Sequence, residues 1–367
     1  MPNLRFPEFS GEWEKRKLAS IGKFFSGGTP TSSNKDYYDG EIPFIRSGEI
    51  HSDHTELSIS AIGYENSSAK MVSKGDLLLA LYGATSGDIA ISRMSGAINQ
   101  AILCIRTTQD HLFLKSVWEK HVKNILNTYL QGGQGNLSAD IVKNLFFYFP
   151  RIEEQRKIGR LIELIDQRIA IQNRIIEKYE SLIKAIRLRV FSEILSEYEC
   201  KQAIIADVLQ YEQPAKYIVN STEYLNDSSL TPVLTANKAF ILGYTDETSG
   251  IYKKGECIIL DDFTLDCKMV DFPFKVKSSA IKILTPRAGM NLRYIYEYLN
   301  YLELETTEHK RHYITEIEPM TIAIPEPNII ERIADVFNLL NGRLSCSKEL
   351  LQTFLLLKRH ILHQMFI

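Results

Sequence analysis

The chain has 367 residues, 44% of them apolar, and a formal net charge of −2 at pH 7. That length predicts more than one domain, since a domain typically holds about 100–200 residues, and the composition is that of a globular protein with a real core. The near-neutral balance excludes any bulk-charge argument for a nucleic-acid partner, which has to be read from local patches.

Short strand-like runs separated by turn signals open the chain: EIPFIR, then LLLALYG after SKGD, then IAIS after TSGD, then QAILCIR. An amphipathic helix is predicted from about Asp110 to Tyr129, ended by the glycines of QGGQGN, and NLFFYFP leads out of it. From Pro150 one long helix is expected through the middle of the chain. The next segment reads the same way, with LTPVLT, IYKKGECIIL, SAIKILTPR, NLRYIYEYLNYL and MTIAIP in that order. A second long helix is expected from Pro325 to the end.

The two long segments are copies in pattern. Pro325 lies 175 residues after Pro150, and the offset holds without a gap. The first carries Ile158, Ile162, Ile165, Ile169, Gln172, Ile176, Tyr179, Ile183, Ile186 and Val190 at alternating spacings of four and three. The second carries Ile333, Phe337, Leu340, Leu344, Ser347, Leu351, Phe354, Lys358, Ile361 and Met365. A seam residue every 3.5 positions is the mark of a coiled coil, and a polar member such as Gln172 or Ser347 can fix register. Asn328 and Glu331 read as a capping box, and Glu153 and Glu154 suit the positive end of a helix dipole. Two packing helices of an ordinary bundle remain the plain alternative.

The segments ahead of the helices repeat weakly. KGE at Lys254–Glu256 answers KGD at Lys74–Asp76, and Pro232 answers Pro43. The predicted fold class is α+β: two small mixed α/β domains joined and separated by two long antiparallel coiled-coil helices, with an internal pseudo-twofold repeat. The expected boundaries are 1–149, 150–195, 196–324 and 325–367. A pseudo-twofold molecule invites a partner of matching symmetry, and duplex DNA is the obvious one.

The stretches WEKRKLASIGKFFSGGTP, DGEIPFIRSGEI, KGDLLLALYGATSGDIA, NQAILC, GQGNLSADIVKNLFFYFP and PRIEEQRKIGRLIELIDQRI, with the copy of the last from Pro325, resemble the specificity (S) subunit of type I restriction–modification systems over essentially the whole chain. The resemblance implies two target recognition domains, each reading one half of a split DNA sequence, and helical spacers that set the gap. It implies two methyltransferase subunits and two restriction subunits as partners. S-adenosylmethionine, ATP and Mg are then cofactors of those partners only, and this chain has no catalytic site. The second half departs from the pattern: it has YEQPAKY, DDFTLDC and HKRHYIT where GGTP, YGAT and GQGN stand in the first.

The residues themselves agree with a non-catalytic reading. There is no GxxxxGK[ST], QGGQGN is not a dinucleotide fingerprint, and no NPPY-type motif is present. His51 and His54 have HxxH spacing but no visible third ligand, so a solvated loop is the simpler reading. HKRH is a basic cluster touching phosphate or a merely solvated turn, and Asp261, Asp262 and DCK only dimly resemble a nuclease set. Five cysteines, odd in number and without CxxC spacing, fit reduced thiols. With no apolar run near the roughly 18 residues of a membrane span, a cytoplasmic location is expected.

By resemblance, and because such side chains fork onto base edges or meet phosphates, the expected DNA contacts in the first domain are Thr29, Arg46, Tyr82, Thr85, Gln134 and Asn136. In the second they are Lys238, Thr264, Lys268, Lys275, Lys277, Lys310 and Arg311. The competing readings are a coiled-coil protein scaffold without DNA binding and, against the missing motifs, an enzyme.

Overall fold

A computed structural model describes residues 2–129, 136–236, 240–306 and 310–367. The chain divides into two compact units, Met1–Asn173 with Glu349–Ile367, and Arg174–Lys348. Both are mixed α/β.

In the first unit the strands are β1 (Glu14–Lys17), β2 (Gly22–Ser26), β3 (Tyr38–Ile45), β4 (Ser58–Ile59), β5 (Lys70–Val72), β6 (Leu77–Ala80), β7 (Ile89–Ile91), β8 (Gly96–Ile98), β9 (Ile102–Thr107) and β10 (Phe146–Phe149). The helices are α1 (Ala61–Glu65), α2 (His111–Tyr129), α3 (Ala139–Asn144) and the start of α4 (Ile152–Ser192). The strands form sheets in the orders β2-β9-β6-β7 and β4-β3-β8-β5, and β1 pairs with β10. β6 is buried on both faces, which is why LLLA carries no alternation. Trp118 of α2 is buried and donates its indole N–H to Gly87 O at 2.7 Å.

In the second unit the strands are β11 (Lys201–Ile204), β12 (Leu209–Glu212), β13 (Thr231–Leu234), β14 (Ile241–Thr245), β15 (Cys257–Asp261), β16 (Cys267–Val270), β17 (Lys275–Val276), β18 (Ile281–Pro286) and β19 (Thr321–Ile324). The helices are α5 (Ile205–Val208), α6 (Leu292–Tyr301) and the start of α7 (Pro327–Met365). The sheet orders are β12-β18-β15-β16 and β14-β13-β17, and β11 pairs with β19. Each strand pair has a counterpart in the first unit, down to one parallel contact: Ile45 opposite Ile98 there, Leu234 opposite Val276 here.

The long helices pack within each unit. In the first, Ile158 and Ile162 share a core with Met365 and Phe366, and Asp166 meets Lys358 at 2.6 Å. In the second, Ile183, Val190 and Phe191 share a core with Ile330, Ile333 and Phe337, and Glu180 meets Lys348 at 2.7 Å. Rising numbers on one helix meet falling numbers on the other, so the segments are antiparallel in each unit. Ile165, Gln172 and Ile176 are buried too, whereas Ile169, Leu340, Leu344, Ser347 and Leu351 are half-buried.

The helix start at Asn328 needs correction. α7 begins at Pro327, and Ile330 N–H donates to Glu326 O at 3.1 Å, so the cap lies before the proline. Proline suits the first helical position because its missing N–H has no partner to lose there.

Candidate nucleic-acid interface

In the first unit the ends of three loops meet beside the parallel pair β3 and β8. Arg46 follows β3 and Asn99 follows β8. Gly27 N–H donates to Asn99 O at 3.2 Å, and the Thr29 hydroxyl donates to the Gln100 side-chain oxygen at 2.7 Å. A Cβ on Gly27 would lie 1.7 Å from Ile98 O, so only glycine lets the GGTP loop approach. The β6–β7 turn closes through Ala80 N–H to Asp88 O at 2.8 Å, and Gly87 takes φ +92 there. Tyr82 stands exposed on this turn and Thr85 half-buried. Leu81 is clamped on both sides: its N–H donates to Ala101 O at 2.8 Å, and its carbonyl accepts Leu137 N–H at 3.0 Å. The second bond brings exposed Asn136 to the same rim.

The second unit has the same joint built from other residues. Asp262 N–H donates to Ala280 O at 2.8 Å, and Asp262 O accepts His312 N–H at 3.1 Å. Arg311 therefore stands where Asn136 stands, and its guanidinium donates to Ser279 Oγ at 3.3 Å. Thr264 is exposed on the β15–β16 turn, and its hydroxyl donates to Asp266 at 3.0 Å. Lys277 follows β17 and is exposed, and its N–H donates to Leu234 O at 3.0 Å. DDFTLDC thus falls at the joint beside which YGAT stands in the first unit, and Arg311 and His312 fall where Asn136 and Leu137 stand.

A buried charge holds this second joint. The Asp262 side chain accepts Tyr313 N–H at 2.7 Å and faces Lys282 Nζ at 3.2 Å, with all of these groups nearly inaccessible. Lys282 in turn lies over the Tyr211 ring, 4.7 Å from its centre. A buried carboxylate survives folding only when such partners replace water.

Several expected contacts sit differently. Lys275 needs correction: it is 2% exposed, its ammonium meets Glu247 at 2.7 Å and Ser249 O at 2.9 Å, and it cannot reach an outside phosphate. Arg46 is half-buried and held by Glu49 at 3.1 Å and Glu56 at 2.5 Å. Burial pushes the Glu49 carboxyl up, but the Arg46 guanidinium and two backbone N–H groups outweigh it and hold it below its usual range. Lys310 meets Glu316 at 3.2 Å, and Lys268 is half-buried on the edge strand β16. Gln134 and Lys238 lie outside the described residues. His54 is exposed and meets Asp53 and Ser52. Among the described residues no group of three or more His, Cys, Asp or Glu side chains is placed to hold a metal, and no helix is long and apolar enough to cross a membrane.

Residues 10–181 match the family model of the type I restriction modification DNA specificity domain. Residues 10–181 are thus similar to that specificity domain. A type I restriction enzyme specificity subunit from Escherichia coli is 41% identical over 169 residues, 42% of each chain, so the match spans less than half of that relative. One from Methanocaldococcus jannaschii is 24% identical over 303 residues, 77% of this chain and 67% of the relative. The fold is similar to that of the type I restriction–modification S subunit from M. genitalium, with TM-score 0.72 at 15% identity, covering 100% of this chain and 99% of that one.

Within residues 10–181 the reading from sequence missed Gln100, which binds Thr29 at the rim, although NQAIL and GGTP were both singled out. In the second unit it missed Lys282, and it read His312 within HKRH as a phosphate contact or a solvated turn, whereas His312 is buried. A lysine inside the apolar run SAIKILTPR was the available signal, because a charge between buried positions needs a partner.

Proposed function

We propose that this chain is the sequence-specific DNA-binding specificity subunit of a type I restriction–modification complex. It reads a bipartite target with a fixed gap and assembles methyltransferase and restriction subunits there. One observation carries the reading: two units share one backbone joint and present different exposed side chains on it. Thr29, Tyr82 and Asn136 line the first rim, and Thr264, Lys277 and Arg311 the second. A kept frame with a changed polar rim is what reading two different half-sites requires.

The helices supply the spacer. α4 and α7 begin at Ile152 and Pro327, 175 residues apart, which supports an antiparallel coiled coil within a pseudo-twofold repeat. Outside the seam, Leu164 and Leu182 on α4 and their counterparts Leu339 and Leu357 on α7 stay exposed. Rows of exposed apolar side chains mark contact surfaces, and here they suit helices of two methyltransferase subunits. S-adenosylmethionine would enter with those subunits, and ATP and Mg with two restriction subunits, in the cytoplasm.

The test is methylation mapping of genomic DNA from cells with and without this chain, the methyltransferase partner being present in both. A split adenine-methylated motif of fixed gap that disappears with the chain is expected. Unchanged methylation with an active partner would leave a protein-binding scaffold instead.

A further inference from the structure

Each unit fastens a domain helix to the two long helices through polar groups, and the two fastenings differ. In the second unit, Glu297 of α6 is wholly buried and accepts the Arg187 guanidinium of α4 at 2.7 and 2.9 Å. Its other oxygen accepts Asn341 Nδ2 of α7 at 3.1 Å and faces Arg293 at 3.5 Å. In the first unit the charges are Lys115 and Glu119 of α2, Asp166 of α4 and Lys358 of α7, meeting at 2.6 to 3.0 Å.

The positions can be matched. Asp110 caps α2 by accepting Phe113 N–H, and Asn291 caps α6 by accepting Tyr294 N–H. Counted from those caps, Glu297 falls on Ser116, which is buried and donates to Leu112 O at 2.8 Å. Lys115 and Glu119 fall on Tyr296 and Asn300. By the 175-residue offset, Arg187 falls on Leu362, which packs against the first core. Asp166 falls on Asn341 and Lys358 on Ile183. Each charged group in one fastening therefore has an uncharged counterpart in the other.

We propose that the two fastenings are keys that assign each recognition domain to its own place on the helices. The second place fits a domain whose docking helix carries a carboxylate at the sixth position after its cap. The first fits one with a small neutral residue there and a lysine and glutamate on either side. Exchanged, Glu297 would lose the Arg187 guanidinium and be buried against Leu362 with Arg293 of its own helix at 3.5 Å, and Arg187 would face Ser116 in place of the carboxylate. An unpartnered buried charge is strongly destabilising, whereas replacing both members of a pair is often nearly neutral. The inference rests on the repeat proposed above.

Two experiments test it in the full chain. Arg187→Leu should lower the thermal midpoint of the second unit by about 10 °C, and Arg187→Leu with Glu297→Ser should recover most of that. An unchanged midpoint for the single variant, or a double variant no better than the single, overturns the key. The second experiment replaces residues 14–149 by a second copy of 201–324, with and without Leu362→Arg. The chimera carrying Leu362→Arg should fold with a higher midpoint and soluble yield than the plain one. Equal folding of the two overturns the key and leaves the repeat standing. Failure of both to fold, while the second unit's variants behave as expected, overturns the repeat and with it the assignment of places.

Discussion

Lys275 and Lys277 separate a cation that holds a loop from one that we propose meets DNA. Lys275 is 2% exposed and binds Glu247 at 2.7 Å, and Glu247 also accepts the backbone and side-chain N–H groups of Asn220 at 2.8 Å. Replacing Lys275 by methionine keeps the stem and removes the charge. Breaking a buried pair costs about 3–5 kcal/mol, and the lower end applies because Asn220 still satisfies the carboxylate. About 3 kcal/mol corresponds to a midpoint lowered by roughly 6–12 °C for a unit of this size. Lys277 is exposed, so Lys277→Ala should leave the midpoint within about 1–2 °C. On a DNA fragment carrying the target, each lost phosphate contact flattens the plot of log affinity against log salt by about 0.9. That flattening is expected for Lys277→Ala and not for Lys275→Met. Calorimetry and salt-titrated binding decide the matter: a Lys275→Met chain that melts like the parent but loses salt dependence would refute the assignment of Lys275 to the interior.

Phe337→Ala should cost about 3–5 kcal/mol in urea unfolding, because the ring is wholly buried, while Leu339→Ala, 61% exposed, should change stability by no more than about 0.5 kcal/mol and instead weaken capture of the methyltransferase subunit. Burial pushes the Asp76 carboxyl up, but the Arg106 guanidinium at 2.7 Å and Ser73 N–H hold it below its usual value. Its contribution is therefore full above the unfolded carboxyl value of about 3.9 and is lost as pH falls through the lower folded value. Asp76→Asn should unfold more easily at pH 7 and converge with the parent in acid; a difference that persists unchanged at pH 2 counts against that role. Inserting one heptad into both α4 and α7 adds about 10 Å and should lengthen the recognised gap by about three base pairs with both half-sites intact. Methylation mapping that finds altered half-sites and the old gap would sink the spacer.

The long helices were the most legible part, because a 3.5-residue period over some 40 positions leaves no competing structure. Strands such as LLLA and CIIL were legible from apolar runs between turn signals. Short elements were not. β17 has only two residues, so period-two alternation says nothing about its ends: it would put Lys275 and Lys277 on one face, yet the chain turns after Val276. Residue type alone made the two lysines equal. Burial, which follows from Glu247 and Ser249 far along the chain, made them different.

The same limit explains why the loops of the second unit looked unlike those of the first. The joint is wired by main-chain groups: Leu81 and Asp262 each donate one N–H and accept one, with the same two neighbours by position. Every residue but proline carries that donor and acceptor, so the wiring places almost no demand on side-chain identity. What the side chain must satisfy is burial. Leu81 does so by being apolar, and Asp262 by facing Lys282 and accepting two N–H groups. The frame therefore persists while the exposed residues beside it change, and a pair of domains can keep one architecture and diverge in what each reads.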